Sequence, residues 1–151
     1  KHFACNNQED NRKGVSSNLS ERALREIYLK GFGIAVTEGN AKGVMTSYNK
    51  VNGIYTPNSY DLCTKVLRNE WGFDGVVMTD WFSTSKGSGD TALCMMAGND
   101  LVMPGGNGFK KEILKGLQAG TVKEEDLKRC CANVVKSILR SNLQREYMKH
   151  E

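Results

Sequence analysis

Long hydrophobic runs, blocks of like charge and paired cysteines are all missing from this sequence of 151 residues. Its apolar stretches are short and interrupted, far below the roughly 18 residues that cross a bilayer, so we expect no membrane association. The net charge is +4, but lysine and arginine are interspersed with acidic residues, which argues against the basic stripe of a nucleic-acid-binding protein. With 39% hydrophobic and 25% charged residues, the composition is that of a folded globular domain.

Cysteine is present in a pattern that favours neither disulfides nor zinc. The five cysteines are odd in number, and only Cys130 and Cys131 are neighbours, which is a poor spacing for a bridge or a metal site. We therefore expect free thiols, a reducing cytoplasmic location, and no metal or other cofactor. The chain also opens at Lys1 without an initiating methionine or a leader, so we expect it to be part of a longer protein.

Short apolar runs alternate with amphipathic helical patterns along the chain. The predicted strands lie at residues 1–4, 43–48, 75–80 and 100–103. The intervening helices include one capped by Ser20 and one capped by Asn58, and two further helices end the chain. Apolar strands separated by amphipathic helices predict an α/β fold in which helices cover a parallel sheet. About four βα units amount to half of a closed (β/α)8 barrel, which needs about 250 residues.

The carboxyl ends of parallel strands are where we expect function, because the loops leaving the sheet there share one cleft. The side chains at these positions include Lys1, His2, Tyr48, Asp80 and Trp81. Asp80 ends an apolar run, where a carboxylate is costly unless it is exposed or paired. Hydrogen-bonding groups beside an indole suit a sugar. From position alone, a loop or capping role for Asp80 and a structural role for His2 are the more common cases.

Five motifs follow one another in a recognisable order. They are KHFACNNQEDNR (Lys1 to Arg12), ERALREIYL (Glu21 to Leu29), MTSYNKVNG (Met45 to Gly53), LRNEWGFDGVVMTDW (Leu67 to Trp81) and AGNDLVMPGG (Ala97 to Gly106). Together they make the chain similar to glycoside hydrolase family 3, on the β-glucosidase side of that family. The N-acetylglucosaminidase branch is disfavoured, because residues 4–6 do not continue its Lys-His-Phe-Pro-Gly opening.

The resemblance implies a role for each of these side chains. Asp80 would be the nucleophile that forms a covalent glycosyl-enzyme intermediate in a retaining reaction on a β-glucoside. Lys1 and His2 would bind glucose hydroxyls, Tyr48 would border the nucleophile, and Trp81 would flank the sugar. The implied fold is the C-terminal half of a TIM-type barrel at residues 1–143, followed by a polar tail at 144–151.

The resemblance also implies what the chain lacks. The aspartate and arginine that clamp the outer sugar hydroxyls would come from earlier barrel strands, and the general-acid glutamate from a second domain. Retaining hydrolysis needs two carboxyl groups about 5–5.5 Å apart, so we expect the isolated chain to be inactive or nearly so. The expected partners are the missing N-terminal half-barrel and second domain, or a second copy of the chain. Thr79, where the family usually has serine, is a mild departure.

A non-catalytic alternative stays open at this point. An open half-barrel exposes sheet edges and apolar surface, so the chain could instead dimerise or bind sugar without cleaving it.

Three structural roles are also predicted. Glu9 and Arg12 are expected to pair and fix the loop after the first strand, a role favoured over contact of these side chains with the substrate. Trp71 is expected to lie in the core, and Met95, Met96 and Met103 are expected to fill it.

Overall fold

The computed structural model describes residues 1–147, apart from the side chains of 143–145. The α-helices are α1 (Glu21–Ala23), α2 (Lys30–Thr37), α3 (Thr91–Ala97), α4 (Asn107–Gln118), α5 (Glu124–Leu139) and α6 (Asn142–Tyr147). The strands are β1 (Ser16–Ser17), β2 (Gly43–Met45), β3 (Lys50–Val51), β4 (Ile54–Tyr55) and β5 (Val76–Met78). Two π-helical segments, Leu24–Tyr28 and Asp61–Glu70, and a 3-10 turn, Thr56–Asn58, complete the elements.

Four extended segments lie side by side in the order of the sequence. The strands β2 and β5 pair in parallel from Gly43 opposite Val76 to Met45 opposite Met78. A parallel bridge joins Phe3 to Thr46 on one side, and another joins Met78 to Leu101 on the other. The α/β class with a parallel sheet, predicted from the alternation of apolar and amphipathic segments, is confirmed.

The predicted strand at 100–103 is shorter than expected and consists of the single bridge at Leu101. The amides of Asp100 and Leu101 both donate to the carbonyl of Val77, at 2.7 and 3.2 Å. Two residues later, the amide of Met103 donates to the side chain of Thr79 instead of a backbone carbonyl, at 2.9 Å. The ladder ends where this hydroxyl takes the place of a main-chain acceptor.

A second small sheet forms where the sequence predicted only a turn. The strands β3 and β4 are antiparallel and are joined by Asn52 and Gly53, which both have positive φ (50° and 86°). This is the backbone that a tight two-residue hairpin needs and that Asn-Gly adopts readily. On its other side β3 pairs in parallel with β1. Strands of two residues are too short to show an alternating pattern, so sequence reasoning missed them.

One of the two predicted helix caps is right. The amide of Ala23 donates to the hydroxyl of Ser20 at 3.2 Å, as expected for an N-cap. The cap at Asn58 was wrong, because the helix after it receives its cap from Ser59, whose hydroxyl accepts from the amide of Leu62 at 3.2 Å. The Asn58 side chain instead makes two hydrogen bonds to the backbone of Asp90, donating to its carbonyl and accepting from its amide. A contact so distant in sequence outcompetes the local cap.

Two apolar clusters make up the core. The larger one lies under the parallel strands and includes the fully buried Phe3, Leu29, Leu67 and Val77. Trp71 packs against it, with its ring 6.1 Å from that of Phe3. The smaller cluster, between α3, α4 and α5, comprises Ala92, Cys94, Met95, Val122 and Cys130. The predicted core position of Met95 is confirmed. Trp71 and Met96 are partly buried and pack against the two clusters, and Met103 is only partly buried.

All five cysteines lie in the described part of the chain and are unpaired. Cys131 is exposed and the other four are buried. Burial raises the pKa of Cys63 to about 12 and the pKa values of Cys5 and Cys130 to about 11. These buried side chains are therefore protonated thiols that pack as small apolar groups.

A buried ion pair joins the helical layer to the sheet. The Asp100 side chain is 0% exposed and accepts from the guanidinium of Arg68 at 2.6 Å, and also from the amide of Val77 at 2.8 Å. The side chain of Asn133, on α5, donates to its other oxygen at 2.8 Å. One carboxylate therefore ties together the segment Asp61–Glu70, the strand β5 and the helix α5.

The polar tail predicted from residue 144 begins inside α6, and residues 148–151 lie outside the described part of the chain. Over residues 1–147, every helix is too short or too polar to pass through a lipid bilayer.

We predict that Asp100→Asn destabilises the fold by about 3–5 kcal/mol, because it leaves the largely buried Arg68 without its counter-charge. Equilibrium urea unfolding measures the change. The control is Asp61→Asn, which removes an exposed pair with Lys65 and is expected to cost much less. Equal losses in the two variants would contradict the anchoring role of Asp100.

A second prediction compares two glycines of α4. A Cβ added at Gly116 would lie only 2.2 Å from the Cβ of Ala92, whereas at Gly108 it would meet nothing within 4 Å. Gly116→Ala is therefore expected to lower the free energy of unfolding by about 1–3 kcal/mol, through forced separation of α3 and α4. Gly108→Ala should leave it unchanged or raise it by up to about 1 kcal/mol. Thermal unfolding of the two variants checks the opposite signs.

Candidate active site

Asp80 stands two residues beyond the end of β5, and three hydrogen bonds fix the turn that carries it. Its Oδ1 accepts from the amide of Trp81 at 2.7 Å. The amide of Phe82 donates to the carbonyl of Met103 at 3.0 Å, and the hydroxyl of the buried Thr79 accepts from the amide of Met103. Phe82 has a positive φ of 58°, unusual for an aromatic residue, so the chain turns sharply after the carboxylate. The Asp80 side chain is 15% exposed.

His2 reaches the same carboxylate from the first extended segment. The amide of Phe3 donates to the carbonyl of Met45 at 2.8 Å, which places His2 at the rim beside the end of β2. The His2 Nε2 atom lies 3.2 Å from Oδ2 of Asp80. Partial burial lowers the pKa of His2, and the nearby Asp80 carboxylate only partly opposes this effect. The neutral imidazole is therefore favoured, and it can donate one hydrogen bond to the carboxylate.

Tyr48 closes the site from the segment that follows β2. Its side chain is buried, and its hydroxyl donates to the carbonyl of Trp81 at 2.7 Å. Burial, together with the charge of the adjacent Asp80 carboxylate, raises the pKa of Tyr48. The hydroxyl consequently keeps its proton at neutral pH and remains a hydrogen-bond donor.

Trp81 and Lys1 lie at the open side of the site. Trp81 is 52% exposed, and its ring makes an edge contact with that of Phe82 at 6.3 Å. Lys1 is exposed as well, and its charge contributes to the lowered pKa of His2. Among the described residues, Lys1 forms no ion pair with Asp80. The structure thus brings His2, Tyr48 and Trp81 into contact with Asp80 or its turn, and places Lys1 next to His2.

Arg12 also lies beside this site, through a contact with Tyr48 that the sequence did not predict. Its predicted pairing with Glu9 is confirmed, with Nη1 to Oε2 at 2.8 Å. The guanidinium carbon also lies 4.2 Å from the centroid of the Tyr48 ring. Nothing in the local sequence indicates a contact across 36 positions, so only the fold reveals it.

This arrangement combines a carboxylate, a neutral imidazole, a protonated phenol and an exposed indole. A carboxylate held by hydrogen bonds can attack an electrophilic carbon, and an indole gives an apolar surface for a sugar ring. In residues 1–147, no group of three or more His, Cys, Asp or Glu side chains could hold a metal ion.

Comparison with known proteins points in one direction. A family model described as the glycosyl hydrolase family 3 N-terminal domain matches residues 1–137. The chain is 44% identical over 143 residues to a β-glucosidase of Ruminococcus albus, and 50% identical over 129 residues to one of Rhizobium radiobacter. The first of these alignments covers 89% of the chain and the second 85%. The chain spans only 15% of the length of either relative.

Solved structures agree with these relatives. The β-glucosidase 3B from Thermotoga neapolitana in complex with glucose superposes with a TM-score of 0.87 and 44% identity, over 97% of the chain and 21% of that structure. The β-glucosidase from Kluyveromyces marxianus in complex with glucose gives a TM-score of 0.83 and 40% identity, over 91% of the chain and 16% of that structure. With the family model covering 137 of the 151 residues, this chain belongs to glycoside hydrolase family 3.

Proposed function

We propose that this chain supplies the nucleophile of a retaining β-glucosidase and that Asp80 is that nucleophile. The observation that carries the proposal is the contact between Asp80 and His2, at 3.2 Å, at the end of β5. One oxygen of the carboxylate accepts from the Trp81 amide and the other lies 3.2 Å from Nε2 of His2, so both oxygens have a polar neighbour at the rim of the sheet. Attack of one oxygen on the anomeric carbon would form the covalent intermediate, with departure of the aglycone.

The neighbouring side chains have roles that suit this reaction. Lys1 and His2 would bind hydroxyls of the glucose ring, Tyr48 would hold the turn of the nucleophile, and Trp81 would cover one face of the sugar. The neutral state of His2 matters here, because a neutral imidazole beside the carboxylate does not neutralise its charge. The ionised carboxylate is the form that can act as a nucleophile.

The fold supports a place for the chain within a larger barrel. Its four parallel segments, in sequence order and covered by helices, correspond to four consecutive βα units. We infer that residues 1–143 are the C-terminal half of a (β/α)8 barrel, and that α4 and α5 are its last helices. The remaining strands and the sugar-clamping residues would come from the other half.

Cleavage also needs an acid to protonate the leaving group, and the proposal assigns this acid to a second domain. The two carboxyl groups of a retaining enzyme lie about 5–5.5 Å apart, so the acid must reach over the same rim as Asp80. The relatives, of which the chain spans 15%, are long enough to contain such a domain. On this proposal the chain alone turns over ordinary glucosides slowly or not at all.

A second candidate function is a half-barrel that associates with another copy and binds sugar without cleaving it. The observation in its favour is the exposed apolar surface on α5, where Val135, Ile138 and Leu139 are each more than half exposed. Sedimentation of the chain over a range of concentrations tests it. A monomer at every concentration would remove the reason for a second copy.

A third prediction concerns covalent labelling of Asp80. A dinitrophenyl fluoroglucoside has a leaving group that departs without protonation, so it bypasses the general acid. We expect the chain, alone or mixed with the complementary half-barrel of a family 3 β-glucosidase, to gain the mass of one fluoroglucosyl group. Asp80→Asn should abolish the gain, because an amide is a far weaker nucleophile. Intact-mass spectrometry gives the readout.

The control for labelling is Asp61→Asn, which changes an exposed aspartate paired with Lys65. It should label like the parent chain. Peptide mapping should locate the adduct on the peptide that contains Asp80. An adduct on any other residue, or a labelled Asp80→Asn variant, would refute the assignment of the nucleophile.

A fourth prediction concerns the pKa of His2. Because the Asp80 carboxylate favours the charged imidazole, Asp80→Asn should lower the pKa of His2 further below its ordinary value. Titration of the histidine signals by NMR measures the pKa, with His2→Gln identifying the signal. A pKa that rises or stays unchanged in Asp80→Asn would show that the two side chains are not in contact.

A further inference from the structure

The loop after the first extended segment folds back on itself through side-chain hydrogen bonds. Asn6 donates through its amide to Oε1 of Glu9 at 2.9 Å. Arg12 donates through Nη1 to Oε2 of the same carboxylate at 2.8 Å. The hydrogen bond from Arg12 to Glu9 therefore fixes one side of the guanidinium independently of its contact with the site.

The guanidinium of Arg12 stacks on the ring of Tyr48. Its central carbon is 4.2 Å from the ring centroid, well within the range of a cation–π contact. Lys13 also approaches this ring, but its ammonium is further away, at 5.4 Å. Tyr48 itself is only 7% exposed, so its ring is enclosed and Arg12 forms part of the enclosure.

The other end of Tyr48 holds the backbone next to the nucleophile. Its hydroxyl donates to the carbonyl of Trp81 at 2.7 Å, and the amide of Trp81 donates to Oδ1 of Asp80 at 2.7 Å. Displacement of the Tyr48 side chain would release the Trp81 peptide and, with it, the hydrogen bond that orients Oδ1 of the carboxylate. Arg12 and Asp80 are thus joined through Tyr48 and Trp81.

We propose that Arg12 is a positioning residue, whose planar guanidinium stacks on Tyr48 so that the hydroxyl of Tyr48 fixes the turn that carries Asp80. The importance of this turn for catalysis rests on the function proposed above. Arg12 itself is 43% exposed in its side chain and contacts neither Asp80 nor the Trp81 peptide. It acts through Tyr48 and is not a catalytic residue.

The charges that face Tyr48 support this role. Burial and the carboxylates of Asp80 and Glu9 raise the pKa of Tyr48, whereas the charge of Arg12 lowers it. Lys13 is the other cation near the ring. A cation over the ring makes the phenol a stronger donor toward the Trp81 carbonyl, while the raised pKa keeps its proton in place.

The test compares Arg12→Met with Arg22→Met in the same chain. Met keeps most of the length of the side chain but carries no charge and no planar group. Arg22 is an exposed arginine paired with Glu26, so it controls for the loss of a surface cation. Two quantities are measured: the pKa of Tyr48, by NMR of carbon-labelled tyrosine with Tyr48→Phe for assignment, and the exchange rate of the Trp81 amide hydrogen.

We expect Arg12→Met to raise the pKa of Tyr48 and to speed exchange of the Trp81 amide by roughly twofold to thirtyfold, the range of a cation–π contact. Arg22→Met should change neither. Arg12→Lys separates charge from stacking, because lysine keeps the charge but has no planar group. It should bring the pKa of Tyr48 part of the way back to its value in the parent chain but leave exchange of the Trp81 amide fast. An unchanged exchange rate in Arg12→Met, or full recovery in Arg12→Lys, would overturn the stacking role.

Failure of the proposed function would look different. The rate of labelling by the dinitrophenyl fluoroglucoside is measured on the same variants, and it should fall in Arg12→Met by a similar factor. If the parent chain never labels, the nucleophile assignment fails, and amide exchange still decides whether Arg12 positions the turn. If the parent labels and Arg12→Met labels equally fast, the positioning role is overturned and the nucleophile stands.

Discussion

Parallel backbone pairing is the constraint on which the rest of this molecule depends. Because Phe3, Thr46, Met78 and Leu101 are bridged in parallel, the carboxyl ends of four segments meet along one rim. Residues from segments far apart in the sequence can then share one site. The contact between His2 and Asp80 lies at this rim.

The two ends of this sheet are held by different chemistry. Below the rim, the buried Asp100 links Arg68, β5 and α5 in an apolar setting where an unpaired charge would be costly. At the rim, the partners of the Asp80 carboxylate are uncharged: a neutral imidazole and a backbone amide. The first carboxylate is bound so fully that it can only be structural, while the second keeps the access that chemistry requires.

Much of this arrangement can be predicted from the sequence, and the failures have a common cause. The alternation of strands and helices, the cap at Ser20 and the gathering at Asp80 follow from local patterns and from the parallel-sheet rule. The cap at Asn58 failed because its side chain has a better partner, the backbone of Asp90, 32 residues away. The stacking of Arg12 was missed for the same reason, since long-range side-chain contacts leave no trace in local periodicity.

The hydrogen bond from Met103 to Thr79 determines which amino acids can stand at position 79. The side-chain oxygen of Thr79 takes the place of a backbone acceptor, at a position that is completely buried. Serine offers the same oxygen, so the two hydroxyl amino acids are interchangeable for this bond. Valine has the shape of threonine but would leave the amide of Met103 without this acceptor. The position beside the proposed nucleophile is therefore constrained by one oxygen atom and not by side-chain shape.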